Sequence, residues 1–152
     1  MEHAPQYETN PEWKLLENHE FNKNNFYRIV NEQGYKDYIE AGTLRSSPTG
    51  TESNMVGQIN LGNRPTSFPS FDKGTPNLTY IKEGEENYIF ETDVQLFARG
   101  DINPVTNQPI KGRHWAYRMI DPETGENLDT VDSSHIKNIY RVDTQKNLYV
   151  RG

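Results

Sequence analysis

The clearest hydrophobic pattern runs from Asn87 to Ala98, NYIFETDVQLFA, where large apolar and polar side chains alternate. Alternate residues of an extended chain share a face. Tyr88, Phe90, Thr92, Val94 and Leu96 therefore fall on one side, with Ile89, Glu91, Asp93, Gln95 and Phe97 on the other. The spacing predicts one long strand on which Glu91 and Asp93 are neighbours on a mixed, solvated face. A shorter extended run, Phe26 to Val30, places Phe26, Arg28 and Val30 on one side and Tyr27 and Ile29 on the other. Behind it, Tyr35, Tyr38, Ile39 and Leu44 fall near helical spacing. Asn31 is positioned as an N-cap and Gly42 as a terminator, and Thr43 to Arg45 resume an extended run. Further strands are predicted at Trp115 to Ile120, Ile136 to Val142 and Asn147 to Val150, with a turn over Asp121 to Gly125.

Short links and Pro/Gly turns leave no room for repeated strand–helix–strand crossovers, so the strands pair antiparallel. The expected fold is α+β: a β-rich single domain with two small antiparallel sheets around a cleft, and with Phe26 to Val30 central in one of them. Residues 1–25 are polar and carry Pro5, Pro11 and the asparagines Asn22, Asn24 and Asn25. They read as a leader or linker in which Trp13, Leu15 and Leu16 form one docked helical turn. The domain proper is expected over residues 26–152. From Ser46 to Asn77 the chain is rich in Ser, Thr, Gly, Pro and Asn, an irregular segment long enough to suggest a functional loop. Phe68 and Phe71 are its expected anchors in the core. Gly100 to Gly112, with Pro104 and Pro109, reads as a second loop.

The length of 152 residues suits one domain. Only 32% of residues are hydrophobic, but 11% are aromatic, so a core of few, large side chains is expected. A net charge of -6 and the lack of any basic run argue against a nucleic-acid surface. With no cysteine there is no disulfide, thiolate metal site or cysteine nucleophile. No apolar stretch is long enough for a membrane span, and Met1 does not open a signal segment. If the protein is exported, a longer chain or a dedicated machine is expected to carry it.

Arg28 is the residue most out of keeping with its surroundings. A guanidinium cannot shed its charge among apolar neighbours, so it must reach water, pair with an acid, or hold an anionic ligand. A structural ion pair and a snorkelling edge arginine are the plain alternatives.

Tyr27-Arg28 on a strand, a helix ending at Gly42, and a following strand that feeds a Ser/Thr-rich segment resemble the opening of the ADP-ribosyltransferase fold of bacterial toxin domains. The resemblance extends over roughly Phe26 to Val142. It implies an NAD-dependent transferase whose first-strand arginine, here Arg28, holds the NAD phosphates. It also implies a hydroxyl-bearing segment near the ribose, to which Ser67 and Ser70 are the nearest equivalents, beside the strand carrying Tyr80. The family's catalytic glutamate steadies a ribosyl cation, because a cationic transition state needs a carboxylate. Where that residue is expected, this chain reads Gly112-Arg113-His114-Trp115-Ala116-Tyr117, without an acid. The candidates are His114 itself and nearby acids, Glu91 among them, although the similar mid-sheet glutamate of the family is not the catalytic one. Together with the polar leader and the lack of an export signal, the resemblance implies a cognate immunity protein and delivery into a target cell's cytoplasm within a larger chain; with the acidic charge, a protein target is expected rather than a nucleic acid, and no membrane partner is expected.

Two other classes stay open. A metal-independent ribonuclease needs a base, an acid and a cation at the phosphorane, for which His114, His135, Arg113, Arg118, Lys137 and Arg141 are candidates. The composition does not exclude a third class, a β-rich, non-enzymatic binding module whose aromatic and polar loops contact a partner protein. No metal-ligand spacing, P-loop or Gly-x-Ser-x-Gly motif is present.

Overall fold

The computed structural model describes residues 12–44, 59–60, 71–76, 78, 81, 84–98, 100–111, 117–128 and 131–152. The strands are β1 (Trp13–Leu16), β2 (Phe26–Asn31), β3 (Thr43–Leu44), β4 (Ile59–Asn60), β5 (Phe71–Lys73), β6 (Asn87–Thr92), β7 (Gln95–Ala98), β8 (Tyr117–Ile120), β9 (Asn127–Leu128), β10 (Val131–Asp132), β11 (Ile136–Val142) and β12 (Leu148–Arg151). One α-helix, α1 (Glu32–Ala41), follows β2. Seven strands form the main sheet in the order β1-β12-β11-β6-β2-β5-β4; β7-β8-β9 and β10-β3 form two small ones. All described pairings are antiparallel except β4 with β5.

The protein is thus a small β-rich domain with antiparallel sheets and one helix, as the alternation indicated. It has one large sheet and two small ones rather than two small ones. β2 is an inner strand, between β6 and β5. The Asn87–Ala98 run is two strands in different sheets, broken at Asp93-Val94, because Val94 turns inward to the core and Thr92 Oγ1 accepts its N–H at 3.2 Å. All six residues of β6 are buried, so the strand has no solvated face.

Helix α1 begins and ends where local chemistry requires. Asn31 Oδ1 accepts the Gly34 N–H at 2.9 Å, and Gly42 closes the helix at φ 76°, a left-handed conformation that glycine adopts without strain. Gly34 also lets the helix lie close on its own strand: a Cβ there would meet Val30 Cβ at 2.8 Å. The helix lays Tyr35 flat on Tyr88, with centroids 4.1 Å apart and planes at 7°, and Tyr38 edge-on to Phe90 at 4.8 Å. With Phe26, Phe71, Leu44, Val94 and Met119 these rings form the larger core, on the helix side of the main sheet. The opposite side is a thinner cluster of Tyr27, Ile89, Tyr140, Val142 and Ile81, against which Leu16, Phe21 and Leu148 pack.

Residues 12–25 are woven into this architecture. Trp13 to Leu16 form an edge strand on β12 instead of a helical turn, since the partner strand satisfies their backbone groups and alternation sends Trp13 and Leu16 to opposite cores. Trp13 lies 6.2 Å from the Tyr35 ring and 6.0 Å from Tyr88, and the Arg141 guanidinium is 5.3 Å from its ring and 4.3 Å from that of Tyr149. Such cation–aromatic contacts each contribute about 0.5–1 kcal/mol when exposed and more when desolvated. No helix among the described residues is long and apolar enough to cross a membrane.

Truncation tests the role of the first strand. A chain beginning at Glu12 keeps every contact described above and should unfold cooperatively in urea. A chain beginning at Phe26 loses β1, the cover over the thinner core and a donor to Glu91; loss of the cooperative transition is expected, measured by tryptophan fluorescence.

Candidate functional site

Arg28 projects from β2 on the helix side of the main sheet, opposite Phe90 in the register. It is only partly exposed, and burial drives its pKa down to about 10. Even so lowered, the guanidinium carries its full charge at neutral pH, so the sheet holds a permanent cation on its helix side. β5 is paired with β2 at Phe26 and Tyr27, whereas β6 accompanies β2 from Phe26 to Asn31. β6 thus fixes the strand that carries the cation along its whole length.

Glu91 occupies the other face. It pairs with Tyr27, not Arg28, and its side chain enters the thinner core with 4% of its surface exposed. Both of its oxygens accept hydrogen bonds. Oε2 accepts from Asn25 Nδ2 at 2.6 Å; Oε1 accepts from Asn138 Nδ2 and the Tyr140 hydroxyl, each at 2.9 Å. Burial alone would raise the carboxyl pKa, but the donors Asn138, Asn25, Tyr140 and Tyr27 outweigh it and hold the group below its ordinary value. The phenols respond oppositely: burial, together with the Glu91 charge, raises Tyr27 and Tyr140 far above an ordinary tyrosine. The network reaches the surface at His19, whose Nε2 lies 3.2 Å from the Tyr140 hydroxyl. A carboxylate so enclosed is an acceptor already spent on the fold, in place of the expected solvated residue. The structure separates Arg28 and Glu91 onto opposite faces of the sheet.

His135, a candidate acid or base, ends the 3-10 turn Ser133–His135 between β10 and β11. Both ring nitrogens face carboxylates: Nδ1 is 3.0 Å from Asp93 Oδ1, and Nε2 is 3.3 Å from Asp121 Oδ2. Lys137 Nζ approaches the other Asp93 oxygen at 3.0 Å. Asp93 is thus an ion-pairing corner residue, not a neighbour of Glu91 on a strand face. Ser67, Ser70, Tyr80, His114 and Arg113 lie outside the described residues. Among the described residues, no group of three or more His, Cys, Asp or Glu side chains can hold a metal ion.

The donors around Glu91 were not singled out by sequence reasoning. The asparagine-rich run at Asn22, Asn24 and Asn25 was their one visible signal. The Asp93–His135–Asp121 group brings together residues far apart in the chain, and no local spacing announces it.

The chemistry of Glu91 makes a stability prediction with a defined sign. Its folded pKa is depressed, so the stabilisation is present above the ordinary carboxylate range and is lost as pH falls through the folded value. Glu91→Gln keeps the volume but turns one acceptor oxygen into a donor facing Asn or Tyr donors. A loss of about 2–4 kcal/mol is expected in urea denaturation at neutral pH, shrinking in acid as the wild type is itself protonated. No family model matches the chain, and neither does any curated protein or solved structure.

Proposed function

We propose that this chain is an NAD-dependent ADP-ribosyltransferase, an effector or toxin domain in which Arg28 grips the pyrophosphate of NAD. The observation that carries the reading is the position of Arg28: a permanently charged fork on an inner strand that β6 accompanies from Phe26 to Asn31. A guanidinium meets phosphate oxygens in a bidentate geometry that a rigid strand preorganises. The order of elements agrees with this: arginine strand, capped helix ended by Gly42, short strand, then a mainly antiparallel set of strands.

In the proposed reaction the glycosidic bond between ribose C1′ and nicotinamide breaks, and its electron pair leaves with nicotinamide. An acceptor side chain on a protein target then bonds to C1′ and gives up its proton. The ribosyl cation needs a carboxylate in attendance; this reading does not assign that role to Glu91, which faces the other side of the sheet and accepts hydrogen bonds on both oxygens. The domain would reach its target cell within a larger chain and be restrained by a cognate immunity protein. The ribonuclease alternative draws no support from His135, whose ring nitrogens both face carboxylates.

Calorimetric titration with NAD, beside a nicotinamide-release assay, tests the reading. Wild type should bind and slowly cleave NAD. Arg28→Ala should bind at least about tenfold more weakly, because a charge-assisted contact is worth about 1.5–3 kcal/mol. Arg28→Lys should fail nearly as badly, since it keeps the charge and loses the fork. If wild type neither binds nor cleaves NAD, the function is wrong; if Arg28→Ala binds as well as wild type, the arginine is structural.

A further inference from the structure

Between β7 and β8 the chain forms a braced hairpin with an apolar surface. The Asp101 carbonyl accepts the Ile110 N–H at 2.7 Å, and Ile102 bridges antiparallel to Pro109. Asn103, buried at the turn, holds both sides: its Oδ1 accepts the Val105 and Thr106 N–H groups at 2.9 and 3.3 Å, and its Nδ2 donates to the Gly125 carbonyl in the β8–β9 turn at 2.8 Å. Hairpin and turn lie so close that a Cβ on Gly125 would come within 2.8 Å of Thr106 Cγ2 and 2.9 Å of Val105 Cβ. Although so well held, the hairpin carries two of the four exposed large hydrophobics among the described residues, Ile102 at 53% and Val105 at 42%. Beside them lies a cleft of about 190 Å³ whose lining includes Thr106, Pro109, Ile110, Lys111 and Asn127.

We propose that this hairpin and its cleft dock a protein partner through one acidic side chain set among apolar residues. Size and chemistry select that occupant. The cleft has room for roughly six waters and falls short of the roughly 300–1,000 Å³ of small-molecule sites, so it suits a side chain rather than a cofactor. Pro109 and Ile110 offer apolar surface to the stem of that side chain; Thr106, Lys111 and Asn127 bring a hydroxyl, an ammonium and a carboxamide, all able to donate to a carboxylate. Lys111 is the charged residue of the lining, while Asp101, Glu123 and Glu126 are exposed on the same hairpin and turn outside it. Those acids, and the net charge of -6, repel a partner that is acidic throughout. A single acid with apolar neighbours instead meets the cation and lays those neighbours on Ile102 and Val105. Because backbone bonds and Asn103 already fix the hairpin, docking has little of it left to order, which lowers the entropic cost.

Arg28 is not part of this surface, so the proposal stands or falls without NAD. The test is a nitrogen-15 NMR titration of the full chain with the capped peptide acetyl-Leu-Glu-Leu-amide. The amides of Asn103, Thr106, Gly125 and Asn127 should shift together and saturate. The same peptide with Gln in place of Glu should bind about threefold or more weakly, the worth of an exposed charge pair, and the Glu peptide should lose as much on Lys111→Gln. Ile102→Ser, at an exposed position, should weaken both peptides. No saturable shift, equal binding of the two peptides, a Lys111→Gln chain that binds like wild type, or free glutarate binding as tightly as the Glu peptide would each overturn the proposal.

Discussion

A carboxylate buried on the inner strand of a sheet has to be satisfied or the sheet does not form, and Glu91 imposes that condition here. Removing an ionised group from water costs several kcal/mol, which only surrounding donors offset. The donors come from different parts of the chain: Asn25 from the segment ahead of β2, Asn138 and Tyr140 from β11. Their convergence fixes the register of β11 against β6, where Asn138 pairs directly with Glu91 beside an irregularity in the ladder. It also draws residues 19–25 across the thinner core, where Phe21 packs edge-on to Tyr27 and Tyr140, both at 5.3 Å.

The two faces of the sheet are consequently held by different physics. On the helix side, stacked and edge-on aromatic rings supply large apolar area from few residues, which is how a chain with 32% hydrophobic residues builds a core. On the other side, apolar cover is thin and a polar network does the specifying. Such a network holds one register because a slip by one residue would present Phe90 to the donors and Glu91 to the aromatic core.

Local chemistry was legible in the sequence, and long-range pairing was not. Asn31 and Gly42 cap the helix where their side-chain and backbone preferences place them, and Phe71 is pinned in the core at 1% exposure. The strands expected at Phe26 to Val30 and Ile136 to Val142 form, over Phe26–Asn31 and Ile136–Val142. What alternation cannot report is where an extended run changes sheets. Residues 87–98 keep a period of two through Asp93-Val94, although the chain turns there from the main sheet to a small one. Nor can it tell a solvated glutamate from one enclosed by asparagine and tyrosine, since the donors are distant in sequence. The strand at Trp13–Leu16 was hidden for a related reason: its pairing partner is β12, at the far end of the chain.

The same contrast bears on Arg28. One residue apart in register, the sheet carries an anion and a cation on opposite faces, and it treats them differently. Glu91 receives donors until its charged form is favoured beyond an ordinary carboxylate; Arg28 has its charge disfavoured by burial and keeps it. The first arrangement stabilises the fold in the way a structural charge should. The second is a guanidinium whose charge burial opposes, held in place by the strand that carries it. Strongly perturbed groups are enriched at functional sites, so this asymmetry across one sheet is what supports proposing Arg28, rather than Glu91, as the residue that meets a ligand.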